Sequence, residues 1–178
     1  LNRDPAIQQT LSYEDWPALL QKLGGDYAYP EGLFLPETYR FARGTADIDL
    51  LRQAYSMMET ALREEWQERA EPSPLSSPYE ALILASIIEK ETARADERSR
   101  IAAVFIHRLQ KRMRLQTDPT VIYGIGPAFD GNLTRRDLRT DTDYNTYTRH
   151  GLPPTPLALP GPASVHAALH PAGGNALS

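Results

Sequence analysis

The sequence predicts an α+β fold dominated by helices, with short strands and a proline-rich C-terminal loop region. Three patterns support this: apolar residues that recur every three or four positions, capping residues that precede such runs, and prolines near the C-terminus. Of the 15 prolines among 178 residues, six lie between residues 151 and 178. Because proline lacks a backbone N–H and interrupts helices, this last part is predicted to be mostly loop.

The composition is that of an ordinary globular domain and excludes several classes of protein. Apolar residues make up 41% and charged residues 24% of the chain, whose length corresponds to about one domain. The net charge of −4 argues against a dedicated nucleic-acid-binding protein. The absence of cysteine excludes disulfide scaffolds, thiolate zinc sites and cysteine nucleophiles.

The N-terminal part is predicted to contain two helices separated by strands and turns. Residues 12–15 resemble a helix start, and the short helix that follows ends at the glycine pair 24–25. Aromatic residues and prolines between 29 and 41 favour short strands and turns. Apolar residues three and four positions apart then predict a long helix over residues 49–69.

A buried helix is predicted after the linker at residues 71–78. Ser77 fits the N-cap, Pro78 the first helical position, and Glu80 completes a capping box. Residues 81–88 are apolar except for one serine, and a helix that is apolar on all sides is typically buried. Similar start signals predict four further helices, which begin at Asp96, Asp118, Thr134 and Gly161. The helix from Asp118 is predicted to end at Gly124, and the helix from Gly161 at residue 169.

Two carboxylates, Glu89 and Glu91, follow the apolar helix and are candidates for acid–base chemistry. A carboxyl group held against hydrocarbon has its charged form disfavoured, which raises its pKa as a general acid requires. Glu89 shares a helix face with Ala85 and Ser86, whose small side chains leave room for a ligand, whereas larger aliphatic residues back Glu91. Glu89 is therefore the predicted acid. The alternative is that both residues are solvated or ion-paired at the helix end.

Two polar segments are candidates for ligand binding. Gln116, Thr117 and Asp118 are predicted to form a polar cluster that lines a cleft, although a simple helix cap by Asp118 is the alternative. Residues 143–147 combine two tyrosines with amide and hydroxyl groups. Such a combination suits sugars, because aromatic rings pack on C–H bonds and amides bond hydroxyls; a surface turn is the alternative.

The histidines do not predict a metal site. His166 and His170 are four residues apart, so both can lie on one face of a helix. The pattern nevertheless lacks the glutamate of metalloprotease helices, since Ala167 stands at that position. We expect two helix histidines bonded to other protein groups, and no metal or other cofactor is predicted.

Several distinctive segments follow one another along the chain: 31–32 with 35–39, 85–92, 105–109, 113–124, 144–147, 151–154 with Pro156, and 168–171 with Asn175. In this order they resemble the motifs of the YceG-like family, the MltG-type endolytic murein transglycosylases. The resemblance extends over residues 30–178, and motifs of this length in one order are more specific than any single motif.

The resemblance implies a domain organisation and a location. Residues 29–178 are expected to correspond to the YceG-like catalytic domain, truncated at the C-terminus relative to the family, and residues 1–28 to the tail of a LysM-like subdomain or a connecting helix. Members of the family act at the extracytoplasmic face of the bacterial cell membrane, through an anchor that this chain lacks. The implied partners are peptidoglycan glycan strands and the synthases of the elongation or division machinery, with no nucleic acid.

The implied reaction is non-hydrolytic cleavage of the bond between N-acetylmuramic acid and N-acetylglucosamine, with Glu89 as acid and then base. An ordinary glycosidase would instead need a second carboxylate, for which Asp118 and Asp143 are candidates. A non-catalytic wall-binding module would need no ionisable Glu89. The residues expected to contact the substrate are Gln116, Asp118, Tyr144, Asn145 and Tyr147.

Overall fold

The computed structural model describes residues 4–11 and 16–173, and this part of the chain contains seven α-helices and two short strands. The prediction of a helix-dominated α+β fold is confirmed. The strands pair in parallel, with Ile7 opposite Thr45. The elements are β1 (Ile7–Gln8), α1 (Trp16–Lys22), β2 (Thr45–Ala46), α2 (Asp47–Gln67), α3 (Pro78–Glu91), α4 (Arg98–Gln110), α5 (Asp118–Ile125), α6 (Arg135–Arg139) and α7 (Pro162–Leu169), with a 3₁₀ turn at Gly126–Ala128.

Helix α3 is the centre of the core, as its apolar sequence predicts. All residues from 81 to 88 are buried, and the helix packs against α2, α4, α5 and α7. The Ser77 hydroxyl accepts the N–H of Glu80 at 3.2 Å, so the predicted N-cap is confirmed. The carboxylate of Glu80 accepts the N–H of Ser76, at 2.6 Å, rather than that of Ser77. The reciprocal bond of the capping box is therefore displaced by one residue.

The predicted strands between residues 29 and 41 are wrong. This segment forms turns and irregular chain, and its buried residues pack into the core beside α2. The N–H of Leu35 bonds the carbonyl of Ala54 in α2 at 3.1 Å. An extended segment forms a sheet only when another strand lies beside it. Here the neighbour of residues 29–41 is helix α2. Residues 12–15, and Asn175 of the C-terminal motif, lie outside the described residues.

The predicted cap at Thr134 is confirmed, whereas the predicted cap at Asp96 is wrong. The Thr134 side chain and Asp137 form the reciprocal capping box of α6, as predicted. Asp96, by contrast, does not cap α4, which begins at Arg98. Its carboxylate instead contacts the guanidinium of Arg94 at 2.8 Å, and Glu97 stands at the N-cap position of α4.

The N-terminal residues share the core of the remaining chain. Leu20 of α1, and Leu23 directly after this helix, belong to the same apolar cluster as residues of α2, α3 and α4. Residues before and after position 28 thus contribute to one apolar core. The domain boundary after residue 28 stays a prediction. None of the helices that the structure describes is long and apolar enough to cross a bilayer.

Candidate active site

The helix face that carries Glu89 is covered. Ala85 and Ser86 are fully buried, and the Ser86 hydroxyl accepts the N–H of Leu157 at 2.9 Å. The chain around residue 157 and helix α7 therefore fill the space that the small side chains were expected to leave for a ligand. The expectation of an open cleft on this face is wrong, because small residues here permit close packing of protein on protein.

The carboxylate of Glu89 joins three parts of the protein. One oxygen accepts the Gly161 N–H at 3.0 Å and the Ser164 hydroxyl at 2.6 Å, and the other lies 3.3 Å from the guanidinium of Arg98. Gly161 is the N-cap residue of α7 and offers no side-chain cap of its own. A negative charge at a helix N-terminus is stabilising, so Glu89 takes the place of that cap. Its side chain is 27% exposed.

Glu91 lies on the other side of α3 and is exposed. Two positions along a helix correspond to about 200° of rotation, which separates the two carboxylates. The Thr117 hydroxyl donates a hydrogen bond to Glu91 at 2.7 Å. Thr117 is the residue before α5 and belongs to the polar segment that the sequence singled out. The structure thus brings Glu91, and not Glu89, to this segment.

The two polar segments lie side by side, joined by Thr146. Its carbonyl accepts the Gln116 N–H at 3.2 Å, and its hydroxyl accepts the Thr117 N–H at 3.2 Å. The same hydroxyl lies 2.8 Å from that of Thr120. Both threonine hydroxyls are buried, so these bonds fix the position of the turn at residues 115–119.

Tyr147 connects the second segment to Asp118. Its hydroxyl donates a hydrogen bond to the Asp118 carboxylate at 2.6 Å. Asp118 is the first residue of α5, and Thr117 stands at the N-cap position, so the helix-cap alternative for Asp118 is wrong. Burial, the bond to Asp118 and the negative charges of Asp118 and Glu91 raise the pKa of Tyr147 to about 12. Tyr147 therefore keeps its proton at neutral pH and acts as a hydrogen-bond donor.

Gln116 is exposed and has an unusual backbone conformation. Its φ of 54° lies in the left-handed region, which is uncommon for residues other than glycine. The guanidinium of Arg108 donates to the Gln116 side-chain oxygen at 2.9 Å and also to the carbonyl of Arg114. This orientation leaves the amide NH₂ of Gln116 as its donor end. Backbone strain that the surroundings hold in place is frequent at functional sites.

Asn145 cannot serve as the predicted substrate contact, because its side chain is fully buried. Its amide nitrogen donates to three backbone carbonyls, and its oxygen accepts the N–H of Tyr147 at 2.8 Å. Asn145 therefore shapes the loop that presents Tyr147 instead of contacting a ligand. The three carbonyls belong to Asp137, Leu138 and Thr140.

Tyr144 belongs to a group of aromatic residues beside this site. Its hydroxyl lies 2.8 Å from that of Thr155, and its ring centre lies 4.8 Å from that of Tyr123. Burial raises the pKa of Tyr123, and the charge of Glu31 adds to the rise. Burial also raises the pKa of Glu31, while Lys90 opposes it. Glu31, Lys90 and Tyr123 are thus neighbours that sequence reasoning did not place at the site, although each stands in one of the recognised motifs.

The sequence and the fold of this chain are similar to those of known proteins. A sequence profile described as the YceG-like family matches residues 4–177. The chain belongs to the YceG-like family. An endolytic murein transglycosylase of Bacillus subtilis is 38% identical over 146 residues, which cover 79% of this chain. An endolytic murein transglycosylase of Streptococcus pneumoniae is 29% identical over 164 residues, which cover 87% of it.

Two further facts concern the extent of these similarities. The chain spans 39% of the length of the B. subtilis relative and 29% of the S. pneumoniae one. A crystal structure of a yceG-like protein from Listeria monocytogenes superimposes with a TM-score of 0.72 at 33% identity, covering 90% of this chain and 57% of that one. This YceG-like chain therefore shares its fold with that part of the Listeria protein.

Proposed function

We propose that this chain carries the catalytic centre of an endolytic lytic transglycosylase that cuts glycan strands of peptidoglycan. The observation that carries the proposal is the exposed carboxylate of Glu91, bonded to Thr117 where the two motif segments meet. The names of the relatives support the substrate class. An exposed carboxylate beside hydrogen-bond donors from a fixed turn is suited to act on a bound sugar.

The geometry favours Glu91 over Glu89 as the general acid. Glu89 lies on the face of α3 that is covered by other parts of the protein. Its two oxygens already accept hydrogen bonds from Arg98 of α4 and from Gly161 and Ser164 at the start of α7. A substrate would have to displace these donors, whereas Glu91 is bonded to one hydroxyl and is open to solvent. The sequence-based choice of Glu89 stays a prediction, which the paired variants described in the Discussion test directly.

In the proposed reaction, Glu91 gives its proton to the glycosidic oxygen as the bond from that oxygen to the anomeric carbon of N-acetylmuramic acid breaks. The resulting carboxylate then takes the proton of the C6 hydroxyl of the same sugar. The C6 oxygen bonds to the anomeric carbon and closes a 1,6-anhydro ring. One carboxyl group serves both steps and no water is consumed.

The remaining polar groups are proposed to orient the glycan. Gln116 presents its amide NH₂ as a donor, whereas Tyr147, whose hydroxyl proton is donated to Asp118, presents its hydroxyl oxygen as an acceptor. Asp118 fixes Tyr147, and the ring of Tyr144 lies beside the same loop. Aromatic and amide groups around a carboxylate match the hydroxyl, acetamido and C–H surfaces of a sugar chain.

A two-carboxylate hydrolase is the second candidate, and one observation favours it. The charges of both Glu91 and Asp118 act on the Tyr147 hydroxyl, so two carboxylates lie near one point. Asp143, the other candidate for the second carboxylate, is exposed and paired with Arg149. In a hydrolase, water would attack and leave a reducing end in place of the anhydro ring.

Product analysis distinguishes these possibilities. Purified chain is incubated with peptidoglycan glycan strands, and the products are examined by mass spectrometry. Anhydromuramic ends released from within strands are expected; reducing ends would establish the hydrolase. Intact strands that still bind to the protein would establish a wall-binding module without catalysis.

The location and partners are proposed on the same basis. An enzyme that cuts peptidoglycan acts in the cell wall, outside the cytoplasm. We propose that the whole protein is held at the membrane by a segment outside this chain and acts near peptidoglycan synthases. Residues 29–178 would be its catalytic domain, and residues 1–28 would continue from a preceding subdomain.

A further inference from the structure

A cluster of three potential metal ligands lies between α2 and α7, on elements separate from the proposed active site. One carboxylate oxygen of Glu65 lies 2.9 Å from Nδ1 of His166 and 3.0 Å from Nε2 of His170. The ligand atoms of the three residues all lie within 4.8 Å of one another. Sequence reasoning did not bring these residues together because it sought the carboxylate within the same helix, whereas the fold supplies it from α2.

We propose that Glu65, His166 and His170 bind a divalent transition-metal ion of the zinc type. Two imidazoles and a carboxylate are ligands that zinc accepts, with a fourth position left for water. Ligand atoms around a tetrahedral zinc ion lie roughly 3.3 Å apart, so the two contacts with Glu65 are close to the required separation.

The backbone around the cluster is fixed before any ion binds. The carbonyl of Leu169 accepts the N–H of Ala70, which follows α2, at 2.9 Å. The carbonyl of Ser99 in α4 accepts the N–H of Ala172 at 2.9 Å. These bonds flank His170 on both sides and hold the end of α7 against α2 and α4. Ligands on such a fixed frame lose little conformational freedom on binding.

The burial of the His170 Nε2 atom, and its lack of a hydrogen-bond partner among the described residues, support a role for His170 as a metal ligand. Its Nε2 is buried and has no aligned hydrogen-bond partner among the described residues, since the 3.0 Å contact with Glu65 lacks the direction of a hydrogen bond. A buried polar nitrogen without a partner is costly, and a bound ion would satisfy it. The rings of His166 and His170 are stacked 4.4 Å apart, which keeps both nitrogens near the same carboxylate.

Access and local charge are compatible with an ion. The cluster opens into a surface pocket of about 500 Å³, and the side chain of His166 is 60% exposed. Arg98 also lines this pocket, but its guanidinium lies 3.3 Å from the carboxylate of Glu89, which offsets its charge. The carboxylate of Glu65 therefore remains to attract a cation.

Zinc titration of the full chain by calorimetry tests the proposal. We expect saturable binding of one Zn²⁺ per chain, weakening as the pH falls because imidazole must be neutral to coordinate. Zinc should also raise the thermal unfolding midpoint, since the site exists only in the folded chain. His166→Gln and Glu65→Gln should each weaken binding at least ~10-fold. His150→Gln, an exposed histidine outside the cluster, should leave it unchanged.

His166 is exposed, so its substitution leaves the core intact and keeps the test valid even if Glu65→Gln is unstable. Unfolding midpoints measured without zinc verify folding. Absence of saturable binding would overturn the proposal. So would equally tight binding in either folded cluster variant, because the ion would then be held elsewhere.

Discussion

The hydroxyl of Thr117 donates a hydrogen bond to the carboxylate of Glu91 at 2.7 Å and thereby joins the end of α3 to the start of α5. Glu89, two residues earlier, is bonded instead to Gly161, Ser164 and Arg98. The two carboxylates of one short motif thus have different surroundings. We expect them to have different roles: Glu91 in catalysis, and Glu89 in holding α7 and α4 against α3.

Glu91→Gln is expected to reduce the release of anhydromuropeptides at least ~10²-fold while the chain stays folded, because glutamine keeps the size of the side chain but carries no transferable proton. Glu89→Gln should retain much more activity, measured in its folded fraction. Glu64→Gln, an exposed residue of α2, is the matched control. A folded, inactive Glu89 variant beside an active Glu91 variant would reverse the assignment.

Glu89→Ala is expected to lower the free energy of unfolding by about 1.5–3 kcal/mol, the range for hydrogen bonds to a charged group. The substitution removes the acceptor for Gly161 and Ser164 and leaves Arg98 without its carboxylate. Urea denaturation followed by circular dichroism measures the change. A free energy of unfolding equal to that of the unsubstituted chain would contradict the structural role of Glu89.

Tyr147→Phe removes only the hydroxyl that donates to Asp118. We expect weaker glycan binding and up to about tenfold lower activity, because one hydrogen bond contributes about 0.5–1.5 kcal/mol. The thermal midpoint should change little, since Asp118 is exposed and water can replace the lost donor. Binding to isolated glycan strands and product release are the measurements. Full binding and activity would exclude Tyr147 from the site.

Asn145→Ala is expected to act through stability and not through direct contact with the substrate. It removes a fully buried amide that donates to the carbonyls of Asp137, Leu138 and Thr140, and leaving buried polar groups without a partner costs about 1–3 kcal/mol. Thermal unfolding should therefore shift strongly downwards. If the variant has an unchanged midpoint but no longer binds glycan, Asn145 contacts the substrate after all.

The stability of the chain should fall in acid through Asp47. Burial would raise the pKa of this carboxyl group, but hydrogen bonds from Thr10, Leu11 and Ile48 outweigh it and lower the pKa below 3.8. A lowered folded-state pKa contributes stability that is present above about pH 4 and is lost as the pH falls through the folded-state value. Asp47→Asn should reduce the unfolding midpoint at neutral pH and flatten its decline in acid.

The control for this prediction is Asp49→Asn, which alters an exposed carboxylate in the same helical turn. It should leave the acid decline in place. An identical decline in the chain and in Asp47→Asn would show that other carboxylates determine the acid stability.

The sequence determined the helices whose signals are local. Ser77 and Pro78 start α3 through groups within one turn, and the apolar run from 81 to 88 requires burial wherever the helix lies. Thr134 and Asp137 likewise form their capping box within four residues. The family motifs are also continuous in the sequence, so the function they imply needed no coordinates.

Tertiary structure alone decided which face of each element is open. Periodicity separates Glu89 from Glu91 but cannot tell which face is covered, because the chain around Leu157 that covers one of them lies about 70 residues away. The same holds for Asn145, whose burial depends on how its loop folds back on α6. Glu65 meets His166 across 101 residues. Contacts between distant segments depend on packing, and local patterns carry no information about them.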